Sequence, residues 1–215
     1  MTFWFWVSLV GLVLIQPILY ASYEHQKLRE RYGSERGNKI GRILGTVSGY
    51  VFFALWAGLW MAPQPRFEIP LLREIIFVLP VLFTYVSLKI PIIHLILGIA
   101  FLIPGAWLGL KGMTTLSLEV SAQHLPREVI KSDIYSRVRH PQYLGGFLSH
   151  IGISLLLSAS LSLICTPIVL IVIYFLCRKE ERELIREFGD EYREYKQEVP
   201  MFVPRLRDKK KRSPV

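Results

Sequence analysis

The sequence is poor in cysteine, and its two thiols, Cys165 and Cys177, lack the close spacing of a zinc-binding or redox pair. This scarcity argues against a disulfide-stapled scaffold, and we predict no metal site. Acidic residues are also few, with 17 Asp and Glu against 26 Lys and Arg and a net charge of +9. The first residues contain no basic segment of the secretory-signal type, so we expect the apolar run that follows to be a retained membrane span.

Hydrophobic residues, in contrast, make up 52% of the chain. High hydrophobicity with a basic net charge is typical of polytopic membrane proteins, whose cytoplasmic loops collect Lys and Arg. Nucleic-acid binding is the other common reason for such a charge. Because the basic residues here flank apolar segments, we predict contact with membrane lipids and no nucleic-acid partner.

The apolar residues fall into five segments. Four of them are no longer than a single membrane crossing, which needs about 20 residues. The fifth is too long for one crossing, and Ser158-Ala159-Ser160 near its middle predicts a helical hairpin of 143–158 and 161–177. The segments are 3–22, 43–62, 72–88, 91–110 and 143–177.

Loop charge predicts the orientation. The connections 23–42 and 111–142 and the tail after Arg178 are all basic, so the positive-inside rule places them in the cytoplasm. An even number of crossings must then separate the two connections, although three apolar segments lie between them. We interpret 72–88, which contains Pro80, as re-entrant or interfacial; the alternative is a full span that leaves one basic loop outside.

The predicted fold is therefore an all-α polytopic membrane bundle with about five transmembrane helices and a cytoplasmic C-terminal helix. Its N-terminus lies outside and its C-terminus inside. We predict one domain over residues 1–206 and a basic tail over 207–215. The tail suits either binding to anionic lipid headgroups or a stop-transfer role.

Two clusters of charge bracket the final apolar hairpin. The first runs from Tyr135 to Gly145; its Pro141 suits a helix start, and its glycines suit close helix packing or close approach by a ligand. The second begins at Arg178 and continues as a helix with an apolar stripe. Glu180 lies four residues before the first member of that stripe, so it points inward and needs a positive partner. The stripe consists of Leu184, Phe188, Tyr192 and Tyr195.

Together the clusters resemble the isoprenylcysteine carboxyl methyltransferases and the related phospholipid N-methyltransferases. The resemblance covers about residues 90–205 and depends on both blocks lying on either side of an apolar hairpin. The matching residues are Tyr135, Arg139-His140-Pro141-x-Tyr143-x-Gly145, Glu180-Glu181, Phe188-Gly189-x-x-Tyr192-x-x-Tyr195, Val199-Pro200 and Val203-Pro204.

The resemblance implies an integral membrane methyltransferase that binds S-adenosylmethionine and methylates a lipophilic acceptor, either a prenylcysteine-type carboxylate or a lipid amine. Tyrosine faces and a carboxylate suit a cationic cofactor. We assign no catalytic base, because a carboxylate acceptor is already ionised near neutral pH. The cofactor-binding residues that the resemblance implies are Arg127, Glu128, Val129, Ile130, Tyr135, His140, Pro141, Gln142, Tyr143 and Glu180.

One position departs from the family pattern. The arginine that relatives use on the substrate side would fall at Leu176, and Arg178 lies on a different helix face. Arg178 is therefore a weak candidate for substrate binding, and the acceptor is left open between a carboxylate, a lipid amine and another apolar molecule.

Two other functions share part of this pattern. Sterol-type membrane reductases carry a similar Arg-His-Pro-x-Tyr block but bind NADPH, and the Glu180-Glu181 pair favours the methyl donor over them. A nonenzymatic membrane accessory protein is the third reading, although it leaves the inward Glu180 without a purpose.

Overall fold

The computed structural model describes residues 2–69, 74–81, 84–116 and 128–204. The described chain is helical apart from one β-hairpin and one 3-10 turn at Asp133–Ser136. The helices are α1 Phe3–Leu14, α2 Gln16–Tyr23, α3 His25–Tyr32, α4 Ser34–Met61, α5 Ile92–Leu116, α6 Pro141–Leu156, α7 Ser160–Ile164, α8 Thr166–Phe188 and α9 Asp190–Glu198; the strands are β1 Glu74–Val81 and β2 Thr84–Pro91.

Three helical stretches are long and apolar enough to cross a membrane by length and composition. They are Phe3–Tyr23, which joins α1 and α2, then α4 and α5. Many of their large apolar side chains point outward, among them Phe53, which is 65% exposed, and Ile103, which is 64% exposed. Such outward apolar surface is stable in lipid. The predicted all-α membrane class is confirmed, and the total of five crossings stays a prediction.

The segment predicted to be re-entrant or interfacial is the β-hairpin. Its strands pair antiparallel from Glu74 opposite Pro91 to Val81 opposite Thr84. That this segment does not cross the bilayer, and the parity of crossings that depends on it, stay predictions.

The basic connection 23–42 is more ordered than the sequence suggested. It contains all of α3 and the first turns of α4, and α3 packs back against α4. The close approach is made at Gly37, where a Cβ would lie 2.5 Å from the backbone of Leu28. The charge of a loop carries no information on helical structure within that loop, and the side of the membrane that it indicates stays a prediction.

Helices α5 and α6 pack so closely that their contact positions have room for glycine but not for a residue with a side chain. A Cβ added at Gly145 would lie 2.5 Å from the carbonyl oxygen of Gly105, and one at Gly152 would lie 2.8 Å from that of Gly98. Glycines permit such backbone approach between membrane helices. The packing interpretation of Gly145 is therefore confirmed, and α6 is held firmly at the start of the motif.

The C-terminal apolar stripe lies on two helices rather than one. Gly189, with φ of +58°, ends α8 and begins α9 in the left-handed region that favours glycine. The single continuous helix predicted for this region is thus wrong, because the chain turns at that residue. The stripe nevertheless stays together, since Tyr192 and Tyr195 form a buried cluster with Val199 against Leu184 and Phe188.

Candidate functional site

A cleft lies where the C-terminal end of α5 meets the start of α6, the polar half of α8, and α9. It holds about 670 Å³ of space between its lining atoms, part of it open to solvent. Its lining is formed by Leu116, Glu128, Val129, Ile130, Tyr135, Arg139, His140, Gln142, Tyr143, Glu180, Leu184, Tyr192 and Tyr195.

The structure brings most of the predicted cofactor-binding residues to this cleft. Those lining it are Glu128, Val129, Ile130, Tyr135, His140, Gln142, Tyr143 and Glu180. They come from three separate parts of the chain, so their convergence is a property of the fold. Their role in binding stays a prediction.

The remaining predicted residues lie elsewhere. Pro141 is fully buried at the start of α6, where it packs next to Gly112 of α5, and it supports the cleft without lining it. Arg127 lies outside the described residues. Arg178, the weak candidate for substrate binding, is exposed on α8 and does not line the cleft.

A buried ion pair forms the floor of the cleft. The Arg139 Nε atom donates to Glu181 Oε1 at 2.7 Å, and both side chains are almost completely buried. The same guanidinium donates to the carbonyl oxygens of Lys196, at 2.8 Å, and Val199. A buried pair with all its hydrogen bonds made is expensive to break from one side only. Arg139 thereby joins the motif to α8 and α9.

Glu181 is held ionised by this arrangement. Burial alone would raise its pKa, but hydrogen bonds from His140 and Lys196 and the charge of Arg139 lower the pKa of Glu181 to about 2. The Lys196 ammonium lies 2.7 Å from Oε2, and the His140 Nε2 atom lies 3.3 Å from Oε1. The charge of Glu181 is thus compensated within the protein.

Glu180, the next residue, lacks the close basic partners that Glu181 has among the described residues. Its Oε2 atom is buried and has no hydrogen-bond partner among the residues that the structure describes. The nearest basic atom recorded for it is Nδ1 of His140, 3.8 Å away, which is beyond hydrogen-bond length. A buried carboxylate oxygen without a partner is costly. The cleft therefore presents an acceptor that suits a cationic or hydroxyl group of a ligand.

Tyrosines surround that acceptor. Burial and then the charge of Glu180 raise the pKa of Tyr135, and burial, Glu181 and Glu180 raise the pKa of Tyr192. Both phenols therefore stay protonated at neutral pH. They offer hydrogen bonds and ring faces to a ligand and cannot serve as bases.

The backbone after α9 closes over the motif. The Arg139 N–H donates to the Pro200 carbonyl at 3.0 Å, and the His140 N–H donates to that of Met201 at 3.3 Å. From α9, the Tyr195 hydroxyl donates to the Tyr135 carbonyl at 2.7 Å. The Val-Pro segment after α9, which belongs to the recognised pattern, thus fixes the backbone of the first cluster.

Sequence reasoning missed several lining residues. Arg139 was identified as part of the family pattern but not as a cofactor-binding residue, yet it is buried, paired with Glu181 and lines the cleft. Tyr192 and Tyr195 were identified in the apolar stripe and in the family pattern but were not assigned to the site. A signal was available in the sequence: one cluster contains an arginine and the other contains two adjacent glutamates. Adjacent residues on a helix point in different directions, so only one of the two glutamates can face the arginine. Leu116 and Leu184 carried no distinguishing signal.

Comparison with known proteins finds similarity in the part of the chain that contains most of this cleft. The sequence model of the phospholipid methyltransferase family matches residues 93–191, which include α5, α6 and α8. This match and the relatives below confirm the predicted resemblance to membrane methyltransferases.

The relatives include enzymes for different acceptors. The chain is 40% identical over 75 residues to methanethiol S-methyltransferase 2 of Bradyrhizobium diazoefficiens, covering 34% of this chain and 27% of that protein. It is 43% identical over 77 residues to protein-S-isoprenylcysteine O-methyltransferase of Saccharomyces cerevisiae, covering 35% and 32%. With the enzyme of that name from Schizosaccharomyces pombe it is 32% identical over 95 residues, covering 43% and 40%. The matches thus span well under half the length of these relatives.

Proposed function

We propose that the protein is an integral membrane methyltransferase that uses S-adenosylmethionine, because residues 93–191 match the sequence model of the phospholipid methyltransferase family. The observation that carries this proposal is the buried Glu180 Oε2 atom, which lies in the cleft without a hydrogen-bond partner in the described parts of the chain. A nonenzymatic scaffold has no use for such a group.

The residues present fit this cofactor. S-adenosylmethionine carries a sulfonium, an ammonium and a ribose, and Glu180 supplies the anionic acceptor that such groups prefer. Tyr135, Tyr143 and Tyr192 supply aromatic faces, which attract cations. Gln142 donates to the Tyr135 hydroxyl at 3.2 Å, so that its side chain is oriented in the cleft. Glu128, Val129 and Ile130 line the remaining side and would complete the pocket.

The chain's own residues would act by position and by exclusion of water. When bound, the cofactor supplies an electrophilic methyl group. Alignment of the acceptor with that group in a dry site accounts for a large part of the rate in such reactions. Protonated Tyr135 and Tyr192 and the tethered His140 hold the walls of the cleft, and no residue is assigned as a base.

We propose a lipophilic acceptor. Relatives are named for methanethiol and for protein S-isoprenylcysteine, and the methyl and isoprenyl groups in these names are apolar. A prenylcysteine-type carboxylate, a lipid amine and a thiol are therefore the classes to test. Because Arg178 is exposed outside the cleft, any contact it makes with an acceptor would lie at the surface of α8.

We also propose that the cleft opens to the cytoplasm. The site residues adjoin the basic connections 23–42 and 111–142, which the positive-inside rule assigns to that side. The acceptor would enter from the bilayer and the donor from the cytoplasm, with the N-terminus outside and the C-terminus inside.

Binding of the donor is the first test. Purified protein in detergent should bind S-adenosylmethionine in isothermal titration calorimetry, and Glu180→Gln should weaken that binding by about 30-fold, since a hydrogen bond to a charged group contributes about 1.5–3 kcal/mol. Glu194→Gln is the matched control, because Glu194 is exposed on α9 and does not line the cleft. Binding of NADPH with no binding of S-adenosylmethionine would overturn the proposal in favour of a reductase.

Transfer of a labelled methyl group identifies the acceptor class. The assay uses reconstituted protein with total membrane lipids, N-acetyl-S-farnesylcysteine, dodecanethiol and dodecylamine. A base-labile product indicates a carboxylate acceptor, and a base-stable product indicates nitrogen or sulfur.

A further inference from the structure

We propose that Tyr23, which lies outside the family-matched segment, is a residue of the methyl-acceptor side of the site, and that the Glu24–Lys179 ion pair positions it there. This inference rests on the proposed methyltransferase function. It adds the N-terminal helices to a site that otherwise comes from residues 93–191 and the segment after them.

The contact that carries this inference joins two phenols. The hydroxyls of Tyr23 and Tyr143 lie 2.6 Å apart, although the residues are 120 positions apart in the sequence. Tyr143 lines the cleft, and Tyr23 is 3% exposed at the end of α2. The hydroxyl of Tyr23 thus reaches the wall of the cleft from an element that the family match does not include.

The surroundings of Tyr23 are apolar and suit a lipophilic acceptor. Tyr23 belongs to the apolar core formed by α1, α2, α4 and α8, which includes Leu176 and Cys177, and Tyr143 packs against that core. Tyr143 also lines the cleft, together with Glu180. The apolar part of an acceptor would therefore lie toward Tyr23, and the donor would lie in the cleft.

An ion-pair network fixes Tyr23 in this place. Glu24 follows Tyr23 directly, and its Oε1 atom accepts from the Lys179 ammonium at 2.6 Å. Lys179 is nearly buried, pairs also with Glu183 at 3.1 Å, and directly precedes Glu180 on α8. The hydrogen bond from Lys179 lowers the pKa of Glu24, so the Glu24 carboxyl is ionised at neutral pH. The end of α2 is thereby attached to the helix that carries the donor-side carboxylate.

These observations define the chemistry of the contact. Two uncharged hydroxyls in an apolar wall can hydrogen-bond the polar end of an acceptor without a countercharge. They would hold the reactive atom while the apolar part stays toward the core. No proton transfer or covalent step is assigned to Tyr23; it is a specificity and positioning residue.

Tyr23→Phe tests the proposal, because it removes one hydroxyl and keeps the ring that packs in the core. With reconstituted protein and N-acetyl-S-farnesylcysteine, dodecanethiol and dodecylamine as acceptors, we expect the KM of whichever acceptor the wild type methylates to rise about fivefold to tenfold. The Kd for S-adenosylmethionine should stay within about twofold of wild type, whereas Glu180→Gln should show the reverse pattern. Tyr20→Phe is the control, since Tyr20 packs against the same core one helical turn earlier.

Glu24→Gln tests the positioning role. It should raise the acceptor KM by about twofold to threefold in the wild type and add nothing in the Tyr23→Phe background, since no hydroxyl is left to position. An unchanged acceptor KM in Tyr23→Phe, or a loss of donor affinity as large as the change in KM, would overturn the inference while leaving the methyltransferase proposal intact. Absence of any methyl transfer by the wild type would contradict both the methyltransferase proposal and the role inferred for Tyr23.

Discussion

Two histidines, one inside α6 and one directly before it, lie in buried polar clusters with different properties. His150, inside the helix, accepts from the indole N–H groups of Trp56 and Trp60, each at 3.0 Å, and its other ring nitrogen lies 3.2 Å from the Ser162 carbonyl oxygen. Both nitrogens of that ring are used. His140, directly before the helix, lies between two glutamates: Glu181 forms ion pairs with Arg139 and Lys196, whereas Glu180 forms no such pair with a lysine or arginine among the described residues.

The comparison separates a structural cluster from a binding site. Buried polar groups in folded proteins are nearly always paired, so an unpaired one calls for a specific explanation. Around His150 the polar atoms join α4, α6 and α7, and the structure accounts for them. In the cleft, Glu180 retains a buried oxygen that has no hydrogen-bond partner among the residues that the structure describes. The state of pairing, rather than the residue type, distinguishes the two sites.

The largest expected effect on stability comes from Arg139→Met. This change leaves Glu181 with a buried charge and removes donors to two carbonyl oxygens, so we expect the free energy of unfolding to fall by about 3–5 kcal/mol. Thermal and denaturant unfolding in detergent measure it. Arg137→Met is the matched control, because Arg137 is exposed two residues earlier. Equal loss in the two variants would contradict the role of the ion pair as the floor of the cleft.

His150→Leu should have the next largest effect. The leucine cannot accept from the indoles, so two buried N–H groups lose their partner, and we expect a loss of about 2–4 kcal/mol in the free energy of unfolding. The affinity of the folded protein for S-adenosylmethionine should stay unchanged, as calorimetry well below the unfolding temperature would measure. A selective loss of donor affinity with normal stability would mean that His150 belongs to a functional site.

Glu180→Gln should have the smallest effect on stability. The amide removes an uncompensated charge, so we expect the ligand-free protein to keep its free energy of unfolding within about 1 kcal/mol or to gain slightly. The same unfolding measurements provide the test. A loss comparable with that of Arg139→Met would show that Glu180 is structural and would end the contrast between the two acids.

The sequence was most informative where chemistry and local pattern coincide. Tyr135, His140, Gln142, Tyr143 and Glu180 lie in two short blocks beside an apolar hairpin, and the fold brings all five to the cleft. The membrane class followed from hydrophobicity and loop charge, because lipid imposes a strong compositional requirement.

The pairing of distant residues could not be predicted in this way. Arg139 and Glu181 are 42 positions apart, and Tyr23 and Tyr143 are 120 apart, so both contacts depend on how α2, α6 and α8 pack. The turn at Gly189 was missed because the apolar stripe continues across it with helical spacing. Periodicity reports which residues share a buried face, and it does not report whether one helix or two supply that face.

Helix α8 has a mechanical consequence for the site. One uninterrupted helix carries the apolar run from Thr166 and then Glu180. The sequence predicts that this apolar run crosses the bilayer, and hydrophobic helices tilt to match the thickness of the surrounding lipid. On that prediction the tilt of α8 and the location of the carboxylate are coupled, so that acyl-chain length would shift Glu180 relative to Tyr143 and change the geometry of the cleft.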